Sequence, residues 1–98
     1  MLAQGLMPRL SAGLTAAGLA YTPRFVPAED ESVDDEIALD LCGAPTGLSI
    51  QIGDSYAGLN EALTKDGKFE GVKCLAFFDD PLPDAVVPVV VDLLRRRM

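Results

Sequence analysis

Ile37, Leu39 and Leu41 alternate with Ala38, Asp40 and Cys42, and Leu48, Ile50 and Ile52 alternate again around Ser49 and Gln51. Between the two runs stands Gly43-Ala44-Pro45-Thr46-Gly47, a stretch of turn-forming residues. Period-two alternation puts one side of a strand in a core and leaves the other among polar surroundings. Two such runs joined by a short Gly/Pro loop predict a β-hairpin with one apolar face. Whatever the rest of the chain does, it has to cover that face.

The flanking segments supply the cover. Leu2, Leu6, Leu10 and Leu14 recur every four residues, with Met7 and Ala17 beside them, which is one face of an amphipathic helix. Pro8 either sits in its first turn or kinks a longer helix. Gly18 suits a left-handed residue just past the helix end, with Leu19 as the following apolar contact, so the helix is expected to stop near Ala17. Tyr21 to Val26 reads as a strand. Pro23 and Pro27 lack ladder donors, which assigns that strand to a sheet edge.

Beyond the hairpin, Gly53-Asp54-Ser55 breaks the strand. Tyr56, Leu59 and Leu63 fall on one face at helical spacing and predict a short helix ended by Lys65-Asp66-Gly67-Lys68. Val72 to Phe78 is nearly continuous apolar sequence, as in an interior strand covered on both faces. Asp79-Asp80-Pro81-Leu82-Pro83 carries helix-start signals, its acids serving as caps. In Val86 to Leu94 the valines favour strand, whereas Pro88 and the following Arg95-Arg96-Arg97 favour helix, and helix is preferred. The expected fold is α+β, one domain over residues 1–98, in the order α-β-β-β-α-β-α. Its mixed four-stranded sheet is packed with helices.

The 98 residues suffice for one core without staples, burying about two-thirds of the unfolded surface. Apolar residues make up 49% and charged residues 23%, ordinary for a globular protein and too apolar for disorder. No uncharged apolar stretch reaches the roughly 18 residues of a membrane span, so no membrane partner is expected. Leu10 to Leu19 resembles a short signal core, but Ser11, Gly13 and Thr15 interrupt it and Arg9 alone precedes it. With Cys42 and Cys74 read as reduced core residues, a cytoplasmic protein is expected.

Fifteen acids against eight bases give a net charge of −7. Seven of those acids are Glu29, Asp30, Glu31, Asp34, Asp35, Glu36 and Asp40, and outside them eight acids meet eight bases. The acidity therefore belongs to one segment. A phosphate backbone would repel it, which argues against a nucleic-acid partner.

Motifs for catalysis or cofactors are weak. Gly53-Asp54-Ser55 is similar to the nucleophile motif of some esterases, yet a serine needs a base to take its proton and the chain has no histidine. The expected order is similar to the core of many metal-dependent nucleases, but the strand Leu48-Ser49-Ile50-Gln51-Ile52 lacks the acid and lysine of their site. The acidic run has no glycine in the sixth place of a calcium loop. Two cysteines without histidine do not build a zinc site. Gly67-Lys68 lacks the rest of a phosphate loop. Lys73, inside an apolar run, either snorkels or pairs with a neighbour such as Glu70. No catalytic residue, cofactor or metal ligand is assigned.

The reading that remains is a non-enzymatic binding module, or a small accessory or inhibitor protein. Glu29, Asp30, Glu31, Asp34, Asp35 and Glu36 would contact a basic surface on a protein partner and steer its approach. Two alternatives stand beside it. One is a small oligomeric ligand-binding domain or enzyme with a carboxylate-based site, Tyr21, Tyr56, Arg24, Lys73, Asp79 and Asp80 meeting across a homodimer. The other is a structural assembly subunit using the leucine and valine faces as interfaces.

Overall fold

A computed structural model describes residues 3–30 and 33–97. The order is α1 (Ala3–Ala16), β1 (Tyr21–Val26), β2 (Asp35–Leu41), β3 (Ala44–Ile52), β4 (Tyr56–Lys65), β5 (Lys68–Asp79) and α2 (Pro83–Arg96). The five strands form one sheet in chain order, each antiparallel to the next. The α+β class holds. The four-stranded mixed sheet and the α-β-β-β-α-β-α order are replaced by a five-stranded antiparallel meander between two helices.

The difference lies in residues 56–65. Tyr56, Leu59 and Leu63 do share a helical spacing, but the segment is β4, with Ala57 and Leu59 buried. Its partner β5 follows at once through Asp66-Gly67, both with positive φ (54° and 77°). That is the backbone of a primed two-residue turn, whose twist matches antiparallel strands and which Asp-Gly forms most readily. Cys42 and Gly43 make the same kind of turn between β2 and β3, with φ of 53° and 81°.

Both helices cover one face of the sheet. Phe25, Ile37, Ile50, Leu59 and Ala76 face one another across the five strands. Against that face pack Leu6, Leu10 and Leu14 of α1 and Val86, Val90 and Leu94 of α2, all buried. Leu6, Leu10, Leu14, Val86 and Val90 are therefore core residues, whereas Val89 is exposed. Gly13 marks the helix crossing, where an added Cβ would lie 2.6 Å from Val87 Cγ1. α1 ends as its sequence implies. Leu19 N donates to Leu14 O and Gly18 N to Thr15 O, both at 3.0 Å, the paired bonds that close a helix on a left-handed residue. Pro8 lies inside α1 and Pro88 inside α2, both exposed, where the missing N–H disturbs no core contact.

The opposite face carries no helix. The smallest dimension of the molecule is 21 Å, the thickness of one sheet and one helix layer. Register places Arg24, Asp40, Ser49, Asn60, Cys74 and Phe77 there. Asn60 is its buried polar group, its Nδ2 donating to Gln51 Oε1 at 3.1 Å. β5 is an edge strand, not an interior one, and Phe69, Val72 and Phe77 are more than half exposed. Cys42 and Cys74 are both exposed, one in a turn and one on the open face, so neither is a core residue. Lys73 is exposed too, on a strand position facing Glu61. The acids before α2 do not cap it: its cap position is Leu82, with no side-chain hydrogen bond, and Asp84 of the first turn pairs with Arg9.

Candidate functional site

A meander places alternate connections at the same end of the sheet. Here the β1–β2 loop and the β3–β4 loop meet, and between them lies an open concavity of about 570 Å3. The first loop contributes Ala28, Asp30, Val33, Asp34 and Asp35. The second side contributes Ile52, Gly53, Asp54, Ser55 and Tyr56. Four of these ten residues are aspartates and none is basic.

The wall is built around Tyr56. Its ring lies against the Gly53 backbone so closely that a Cβ at Gly53 would sit 2.2 Å from Tyr56 Cε1. The same ring stacks on Phe77, with centroids 5.9 Å apart and planes at 15°. Its hydroxyl donates to Asp34 Oδ2. Gly53 N donates back to Tyr56 O at 3.0 Å and closes the short loop. Across the concavity Asp35 Oδ1 accepts a hydrogen bond from Ala28 N at 3.1 Å, which ties the two ends of the acidic loop together. Two carboxylates are thus fixed by donors from the protein itself.

Four of the five arginines are engaged elsewhere. Arg24 forks onto Asp40 on the open face at 3.0 and 3.5 Å, and the Asp40 hydrogen bond and charge raise its pKa above the ordinary value. Arg97 holds Glu61 at 2.9 and 3.0 Å, Arg96 holds Asp92 at 2.8 Å, and Arg9 holds Asp84. The sequence has no Lys or Arg between Arg24 and Lys65, so the two loops bring no base of their own.

The six acids singled out in the sequence are divided by this geometry. Asp30, Asp34 and Asp35 line the concavity. Glu36 is half-buried on β2 in the row of Gln51 and Gly58, on the open face, and Glu29 is exposed outside the lining. Glu31 lies outside the described residues. Asp54, Ser55 and Tyr56 join the lining although the acidic run did not include them. The signal was present in Gly53-Asp54-Ser55: once that tripeptide joins two strands of a meander, it must lie beside the β1–β2 loop.

The concavity does not gather its acids to a point. Among the described residues no three carboxylate or thiol groups stand together in a way that would hold a metal ion. Spread carboxylates beside Val33, Ile52 and the Tyr56 ring suit a cation with an apolar stem better than a bare ion. Comparison with protein-family models, with curated proteins and with solved structures gives no match to this chain. No described helix is long and apolar enough to cross a membrane.

Proposed function

We propose that this chain is a protein-binding module whose acidic concavity receives basic side chains of a partner protein. The observation that carries this reading is the arrangement of Asp30, Asp34, Asp35 and Asp54 around one recess with no base in its lining. A lysine or arginine entering it lays its methylenes along Val33, Ile52 and Tyr56 and its head among the carboxylates. One exposed ion pair contributes only about 0–1 kcal/mol, so affinity needs several carboxylates acting together with the apolar wall. The guanidinium group fits better than an ammonium, because its planar fork can pair with two carboxylates at once.

Titration calorimetry with an arginine-containing peptide tests this, with a glutamate-containing peptide of equal length as control. The arginine peptide is expected to bind, more weakly as salt rises. The double variant Asp34→Asn, Asp54→Asn should lose about tenfold in affinity, or ~1.4 kcal/mol, while the amide oxygen that replaces the Asp34 carboxylate can still accept from the Tyr56 hydroxyl. Equal binding by the native chain and the variant would remove the concavity from the account.

A further inference from the structure

We infer that β5 is the seam of a symmetric homodimer, in which two copies pair β5 against β5 and continue one sheet across both molecules. This stands apart from the acidic concavity, which the pairing leaves open.

The two edges of the sheet are built differently. β1 has six residues and is interrupted by Pro23, a common way to blunt an edge. β5 has twelve residues and no proline. Register shifts opposite Leu59/Asn60 and Leu63/Thr64 divide it into three regular stretches, Lys68–Phe69, Gly71–Cys74 and Ala76–Asp79. Phe69, Val72 and Phe77 are 67%, 55% and 65% exposed on the open face. A long edge with exposed apolar side chains is a template for another strand.

Charge selects a second copy, and its direction. The first half of β5 carries Lys68, Glu70 and Lys73, and its far end carries Asp79, followed by Asp80. Antiparallel pairing lays the lysine-bearing half of each copy beside the aspartate-bearing end of the other, and the match occurs twice by symmetry. Parallel pairing would set like beside like. Tyr56 faces Asp79, so the acidic concavity lies at the aspartate end of β5. Antiparallel pairing therefore also sends the two acidic ends of a pair of −7 chains to opposite poles. A two-fold axis normal to the sheet keeps faces matched, so the exposed phenylalanines of both copies join one apolar stripe.

Sedimentation equilibrium of the full chain is expected to give a dimer, and charge reversal at Lys68→Glu, Lys73→Glu to weaken it at least tenfold at low salt. Circular dichroism checks that the variant keeps its fold. A Cys42→Ser chain with a spin label on Cys74 then locates the seam. A two-fold axis within about four residues of Cys74 holds the two Cys74 backbones within about 27 Å of each other. A chain that stays monomeric up to near-millimolar concentration overturns the inference. So does a dimer whose labels lie farther apart, or one indifferent to the charge reversal. An extended segment of another protein on this edge would leave the chain alone monomeric, and it counts against a second copy.

Discussion

Tyr56 joins the two halves of the uncovered surface. Its ring carries the stack with Phe77, its hydroxyl reaches Asp34, and Gly53 leaves it room. Tyr56→Phe keeps the ring and deletes one half-buried hydrogen bond, so urea denaturation should show a loss of about 1 kcal/mol. Gly53→Ala is expected to be worse. Its Cβ would meet Cε1, Cζ and Cδ1 of the ring at 2.2–2.8 Å, and the ring cannot yield without leaving Phe77 or Asp34. A loss of about 2 kcal/mol is expected from such overpacking, together with a change in the near-ultraviolet signal of the tyrosines. An unchanged midpoint in Gly53→Ala would mean that the ring is free to move and that the wall of the concavity is not fixed.

Helix α1 offers a paired test at the scale of an element. Gly5 is exposed with nothing within 4 Å of an added Cβ, so Gly5→Ala should stabilise by about 0.5–1 kcal/mol through helix propensity alone. Gly13→Ala gains the same propensity but drives a methyl into Val87, whose branched side chain is stiff in a helix. Thermal melts should therefore move in opposite directions for the two variants. Helix α1, strand β1 and the β2–β3 hairpin were legible because each has one periodicity and ordinary end signals, and helix α2 because Pro88 and Arg95-Arg96-Arg97 outweigh the strand preference of its valines. β4 was not, because Tyr56, Leu59 and Leu63 satisfy a helical spacing while Ala57 and Leu59 satisfy a strand one. Asp66-Gly67 decides between them, and read as a helix stop it hides the hairpin. β5 looked interior because it is apolar on both sides. One side meets the core through Ala76 and Phe78, and the other is the exposed Val72 and Phe77. Half of the site was legible for the same reason: Asp30, Asp34 and Asp35 announce themselves by composition, whereas Asp54 joins them only through topology. Gly67→Ala, forced to hold φ of 77°, should cost about 1 kcal/mol or more in the same melts.

At the scale of the molecule, two helices cover one face of a five-stranded sheet and the other face stays uncovered by any described element. Asp30, Asp34, Asp35 and Asp54 gather at one end, and the four described ion pairs lie away from them, each partly exposed. Such pairs are individually worth little, so self-repulsion of the acids should dominate the salt response. The melting temperature is expected to rise between low and physiological salt, and a fall would mean that the surface pairs outweigh the repulsion. Whether a basic partner is met at the acidic end is read most directly from amide chemical-shift mapping of the full chain with an arginine-containing peptide. Shifts are expected to concentrate at residues 28–35 and 53–56 and to be suppressed by Asp34→Asn, Asp54→Asn. Shifts scattered over the surface, or centred on β5, would contradict that expectation.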